Sequence, residues 1–353
     1  MTLGIIDVGT NSIHLLIGIL GLHGTFHVIL KERDLTRLGE GGLAGGRLTN
    51  EAMKRALNVL GRYATTLKRC GVDHIEAVAT SAVREARNGR TFVRRVRSEL
   101  KLPLRIISGR EEARLIYLGV WQATRFHRST LLMTIGGGSA QVMCGDGPRL
   151  RYATSLPLGG ARLAQRFVHH DPPRSEELEA LMQSLQRAWM PTARALRRHR
   201  WSLALGSSAT IYQLMLAAYL RQHPRPPKEK QRLSVTRASL KRLLQWLAVS
   251  TAAQRIQLAG VDPRREDLVL TTGLALLEWM EQCGVSSIRY APGSLREGLV
   301  MDYLIRHHER QARVISALLP DAAGGNGRAL SLPWRTPLVR RLRRDDRQAF
   351  LKG

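Results

Sequence analysis

The chain has 353 residues, 44% of them hydrophobic, enough to fill a core in each of about two domains on the usual length prior. Its 55 Lys and Arg against 28 Asp and Glu give a formal charge of +27, which favours polyanionic partners such as nucleic acid, an anionic membrane surface or a phosphate chain, although an Arg-biased coding composition would give the same total. Cys70, Cys144 and Cys283 lie far apart without a C-x-x-C pair, which argues against a disulfide framework or zinc site and for a reduced cytoplasmic setting, and no apolar run approaches the roughly 18 residues of a membrane span.

In chain order, LGIIDVGTNSIHLLIGIL reads as two β-rich runs around a Gly-Thr-Asn-Ser turn, and Thr25 to Leu30 adds a third strand. Thr49 and Asn50 offer an N-cap to a helix whose apolar stripe is Met53, Ala56, Leu57, Leu60, Ala64 and Leu67. A strand at about His74 to Ala79 precedes a helical stretch through Phe92, Val93, Val96 and Leu100. The next strand, Leu104 to Ile107, leads through Ser108-Gly109 into a helix beginning EEARLIYLGV. LLMTIGGGSAQVMCGDGPRLRYAT then repeats the opening pattern of strand, Gly-rich turn, strand, turn and strand. Asp7 matches Thr134, Gly9 matches Gly136 and Ser12 matches Ser139, all at one constant spacing, which is the signature of a duplication. Two such units place their Gly-rich hairpins on either side of a cleft.

The second half continues with helical patterns at Ala161 to Val168 and Ser175 to Leu196, and a short strand, WSLALG, running into SSATIYQLMLAAYL. A basic, Pro-containing segment at His223 to Arg232, a helix from about Leu240, a strand at Ser287 to Ala291 and a last helix from about Leu295 follow. Beyond His308 the Gly-rich stretch and Arg cluster read as a flexible basic tail, most simply a solvated one without a dedicated partner.

A Gly-rich turn lets backbone N–H groups approach an anion with no side chain in the way. Alone, Gly9 would suit an ordinary hairpin, and Gly136-Gly137-Gly138 a flexible one. Two turns in corresponding places, each followed by a Ser that can donate, point to one shared phosphate site. The segments IDVGTNS, VATSAVREA, ISGREEARLIYLGV, IGGGSAQ, LPLGGARLAQRF, LGSSATI and GSLREGLVMDYL, spread from Leu3 to Leu304, occur in the order of the exopolyphosphatase and guanosine pentaphosphate phosphatase (Ppx/GppA) family. The chain resembles a short form of that family, without its long C-terminal helical domain.

The resemblance implies a two-domain α/β fold of the actin-like class shared with sugar kinases and Hsp70, with an interdomain cleft. Residues 1–122 then form the first domain with phosphate loop 1, and 123–308 the second with loop 2, its last helix packing back on the first, while 309–353 is the tail. It implies Glu112 as the base that activates the attacking water, with Glu111 serving the helix dipole. Arg84 corresponds to a phosphate-contacting arginine, and Asn11, Ser12, Gly137, Gly138 and Ser139 supply the remaining donors. Where the family has an Asp before I-G-G-G-S and a Glu two residues after that Ser, this chain has Thr134 and Gln141. Those carboxylates help hold a divalent ion in the family. Their loss leaves a weakly held Mg²⁺ or Mn²⁺ to Asp7, the substrate phosphates and Glu112 as a further candidate, and each such loss typically weakens a metal site about 10- to 100-fold.

The implied activity is an exopolyphosphatase, a phosphoanhydride hydrolase releasing terminal phosphate by attack of Glu112-activated water. The alternatives are a pppGpp 5′-phosphatase using the same machinery and a catalytically weakened sensor of polyphosphate or guanosine polyphosphates. A sugar kinase or chaperone ATPase fits less well, since GSSATI and GSLREG resemble the phosphatase motifs more than an adenosine pocket. Nucleic acid is expected to bind only non-specifically through the basic surface, membranes not at all, and a homodimer is implied by the family alone.

Overall fold

The computed structural model describes residues 1–21 and 25–318, with side chains described up to residue 307. In the first half, β1 (Thr2–Val8), β2 (Ile13–Leu20) and β3 (Phe26–Asp34) form the expected antiparallel meander. β4 (His74–Ala79) and β5 (Leu104–Ile106) join parallel on the other side of β1, giving the order β3-β2-β1-β4-β5. The parallel connections need crossovers. These are α1 (Asn50–Arg69), then α2 (Ser81–Glu85) and α3 (Gly89–Leu100), with Thr49 capping α1 by accepting from Ala52 N. The apolar stripe of α1 packs with Phe92, Val93 and Val96 of α3 against one face of this sheet.

After α4 (Gly109–Thr124) the plan repeats: β6 (Ser129–Ile135), β7 (Ala140–Asp146) and β8 (Arg149–Leu156) form a second meander. Helices α5 (Gly160–Phe167) and α6 (Ser175–Leu196) lead to β9 (Leu203–Ser207), parallel to β6. α7 (Ala209–Leu220), β10 (Ser234–Thr236), α8 (Arg237–Val249), α9 (Ala252–Ile256), α10 (Glu266–Gln282), β11 (Ser287–Tyr290) and α11 (Leu295–Leu318) complete the described chain. The second sheet runs β10-β11-β9-β6-β7-β8, so without the edge strand β10 it has the same order as the first. This doubled topology agrees with the two-domain actin-like α/β fold that the resemblance implies.

Two differences from the sequence reading have plain causes. α10 was not expected, because Leu268 to Met280 is buried on nearly every side and shows no one-sided apolar stripe. α11 continues past His308 to Leu318, and the remainder of the expected basic tail lies outside the described residues.

Helices α4 and α11 lie between the sheets, packed by Leu3, Ile5 and Leu16 from the first and Leu132, Met143 and Leu205 from the second. They meet backbone to backbone: a Cβ on Gly119 would lie 2.1 Å from Ser294 O, and one on Gly298 1.9 Å from Leu115 O. Ion pairs fasten this layer, with Asp302 of α11 bound to Arg114 of α4 at 2.8 Å and Arg306 reaching Glu76 of β4 at 2.8 Å. The first turns of both helices are thereby brought to the same end of the molecule, where the cleft opens. No helix among the described residues is long and apolar enough to cross a membrane.

Candidate active site

A cavity of about 390 Å³ lies between the sheets, bordered by the β1–β2 turn, the β6–β7 turn and the first turns of α4 and α11. The two turns are built alike. Gly9 N donates to Ser12 O at 3.0 Å, and Gly136 N donates to Ser139 O at 2.8 Å. They also touch: a Cβ on Gly138 would lie 2.4 Å from Thr10 Oγ1 and 2.6 Å from Ser81 Oγ, so glycine is what lets the two loops close on one another. Arg162 of α5 holds the second loop from behind. Its Nε donates to Gly138 O at 2.9 Å, its backbone N to Gly137 O at 3.0 Å, and its guanidinium pairs with Glu85 of α2.

Asp7, Asn11, Ser12, Glu112, Gly137, Gly138 and Ser139 all border this cavity, as the sequence reading requires. Arg84 stands one layer behind. Its Nη1 donates to Glu112 Oε2 at 2.8 Å and to Ile107 O at 3.2 Å. Ser108 caps α4 by accepting from Glu111 N at 3.0 Å, and this start aims consecutive carboxylates in different directions. Glu111 turns outward to Arg105 at 2.7 Å, whereas Glu112 is 7% exposed and faces the cleft. Burial pushes the Glu112 carboxyl up to about 7, against the lowering charge and hydrogen bond of Arg84, and Asp7 and Glu85 add to the rise. Burial likewise pushes Asp7 up to about 6, opposed by Arg296 and reinforced by Glu297.

Thr134 and Gln141 sit opposite each other in the β6–β7 register, as Asp7 and His14 do in β1–β2. Both are buried and border the cavity. Gln141 Nε2 donates to Ser139 Oγ at 2.8 Å and Ser155 Oγ at 3.1 Å. Among the described residues no cluster of three or more His, Cys, Asp or Glu could hold a metal by itself. Mg²⁺, however, commonly uses one or two carboxylates together with substrate phosphates. Asp7 fits that role, being a desolvated carboxyl on the cavity wall with no hydrogen bond or ion pair to another described side chain.

A cationic wall, not among the residues expected from the sequence, lines the same cavity. Lys31 and Arg33 of β3, Arg265 and Arg296 all border the cavity. Arg296 Nη1 lies 2.9 Å from His14 Nδ1, and burial, then Arg296, Arg33, Arg265 and Lys31, push the imidazole far below its ordinary pKa, so it is neutral and accepts. The register sets Asp7, His14 and Arg33 in one row across β1, β2 and β3. Arg265 is 8% exposed, donates from Nη2 to Ser12 Oγ at 3.1 Å and leaves its Nε without a partner. Burial, followed by the charge of Arg33, lowers its pKa to about 10. A guanidinium so desolvated, with Asn11 Nδ2 in the lining of the same cavity also without a partner, is suited to receive an anion. Position 14 was within reach of sequence reasoning, because it stands at the same spacing from Gln141 as Asp7 from Thr134. Ser208, at φ 126°, also borders the cavity in a conformation that residues with a Cβ rarely adopt, a kind of strain that concentrates at functional sites.

Residues 20–307 match the family model described as the Ppx/GppA phosphatase family. Exopolyphosphatase 1 of Mycobacterium tuberculosis (strain ATCC 25618 / H37Rv) is 29% identical over 312 residues, covering 85% of this chain and 88% of the relative. Among solved structures, an exopolyphosphatase from Cytophaga hutchinsonii is 30% identical with a TM-score of 0.78, covering 86% of this chain and 98% of that one. The Ppx/GppA family member of Aquifex aeolicus is 25% identical with a TM-score of 0.72, covering 87% and 98%.

Proposed function

The chain belongs to the Ppx/GppA phosphatase family, and from that premise we propose that it releases terminal phosphate from inorganic polyphosphate with Glu112 as general base. The observation that carries this reading is a buried carboxyl held near 7 in the same cavity as two facing Gly-rich loops. A base works best when its pKa lies near the working pH, since it is then ionised yet still basic. The terminal phosphoryl group sits between the loops, accepting from the backbone and side chains of Asn11, Ser12, Gly137, Gly138 and Ser139. Glu112 takes a proton from the attacking water as the new P–O bond forms. The bridging P–O bond breaks in line, and its electron pair leaves with the shortened chain. Arg84 holds the Glu112 carboxylate in orientation, and Arg265 and Arg296 receive the negative chain. Asp7 would hold Mg²⁺ or Mn²⁺, which when bound neutralises charge on the phosphate oxygens.

A phosphate chain is favoured over a guanosine nucleotide by the lining: among the described residues no Phe, Tyr or Trp borders the cavity, so a nucleobase finds no stacking platform, while four cationic side chains do border it. The sensor reading draws on the neutral Thr134 and Gln141, which weaken the metal site. Phosphate release from polyphosphate and from pppGpp, each with Mg²⁺, Mn²⁺ or chelator, decides among these. Faster metal-stimulated release from polyphosphate supports the proposal. Faster release from pppGpp reverses the substrate assignment, and tight binding of polyphosphate without release from either substrate favours the sensor.

A further inference from the structure

Gln141 is 2% exposed, and its amide nitrogen donates to two serine hydroxyls, Ser139 Oγ at 2.8 Å and Ser155 Oγ at 3.1 Å. A serine hydroxyl carries one proton and two lone pairs. With a lone pair of Ser139 engaged by the amide, its own proton has no protein acceptor among the described residues, and Ser139 borders the cavity directly after the second Gly-rich loop. We propose that Gln141 is a positioning residue that fixes the polarity of Ser139, turning its O–H toward the cavity as a donor to a phosphate oxygen. The inference rests on the reading of this cavity as a phosphate site.

The chemistry of a carboxylate at the same place is opposite. A Glu at 141 has only acceptor oxygens when ionised, so both serines would donate to it and Ser139 would present a lone pair to the cavity. A lone pair suits a hard cation and its waters, whereas a proton suits phosphate. The Gln therefore does more than delete a charge: it moves one oxygen of the second loop from the cation-binding to the anion-binding side of the site. The facing residue, Thr134, is also uncharged, so neither member of this facing pair offers a carboxylate to compete for the serine proton.

The test is a double-mutant cycle read by direct binding of polyphosphate of defined length, without metal, with thermal unfolding of every variant alongside. Gln141→Met removes the amide donor at similar size without adding charge. It should weaken binding about 10- to 100-fold, the usual worth of a hydrogen bond to a charged group. In the Ser139→Ala background the same change should weaken it no further. Gln141→Glu should cost more in the presence of Ser139 than in the Ser139→Ala background, the excess over plain charge repulsion being the reversed hydroxyl, and it should tighten Mg²⁺ binding. Equal losses in both backgrounds for Gln141→Met, or unchanged affinity, would overturn the role of Gln141 while leaving the phosphate site standing. Failure of the parent chain to bind polyphosphate at all would sink the reading of the cavity itself, a distinguishable result.

Discussion

Replacing Glu112 by Gln removes the proposed base while keeping its size and one acceptor oxygen. General-base catalysis typically contributes about 10²- to 10⁴-fold, so turnover of polyphosphate should fall by that range. The fold should not suffer. Removing one partner of a buried ion pair usually costs several kcal/mol because a charge is stranded, but here the remaining Arg84 keeps its bond to Ile107 O at 3.2 Å and lies 3.7 Å from Glu85. Moreover, burial raises the Glu112 carboxyl from its ordinary value of 4.5 to about 7, so ionising it in the folded state costs about 3 kcal/mol. The stability contributed by its protonated form is fully present below about pH 4.5 and lost as pH rises through about 7. Glu112→Gln should therefore match the parent in thermal stability at acid pH and exceed it at about pH 8, with polyphosphate affinity unchanged or tighter because one negative charge has left an anion site. Phosphate release, equilibrium binding and thermal unfolding at both pH values check this. Full turnover in the variant, or a loss of turnover that tracks unfolding, would refute the assignment.

Glu111→Gln should leave turnover nearly intact and cost about 0–1 kcal/mol of stability, because it breaks only the partly exposed pair with Arg105; a rate loss equal to that of Glu112→Gln would show the base misassigned. Gly138→Ala should destabilise the protein by about 1–3 kcal/mol and reduce activity, since its Cβ would press Thr10 Oγ1 and Ser81 Oγ and part the loops; denaturant titration and kinetics would reveal an innocuous change. Arg33→Ala should weaken binding of long polyphosphate more than of short chains and flatten the decline of affinity with salt, and an unaltered salt dependence would remove Arg33 from the binding surface. Thr134→Asp should tighten Mg²⁺ by about tenfold if Asp7 holds the ion, as calorimetry would report; unchanged metal affinity would count against a metal position at Asp7.

Much of this arrangement was legible in the sequence because it is local or repeated. The Gly-rich turns announce themselves, and the constant spacing that links Asp7 to Thr134 appears in the structure as matching strand registers. Ser108 before two acidic residues foretells a helix start, and the helical turn sends Glu111 and Glu112 apart. The cationic wall was hidden for a different reason. Among 55 Lys and Arg, no local pattern places Arg265 or Arg296 on the cavity wall; that comes from packing the starts of α10 and α11 against the first sheet, through partners such as Ser12 and His14. The resemblance implies a phosphate contact for Arg84, but the structure sets it behind the cavity lining, where its bond to Glu112 depends on α2 and α4 meeting across Ile107. α10 escaped notice because a helix buried on all sides loses the periodicity by which helices are read.

The pH dependence of kcat/KM for polyphosphate hydrolysis tests the central claim most directly, since it reports the ionisation of essential groups in the free enzyme. A burial-tuned Glu112 predicts a rate that rises through a limb centred near 7, with that limb absent from the residual activity of Glu112→Gln. A profile that stays flat across this range in the parent, or a limb that persists unchanged in the variant, would contradict it.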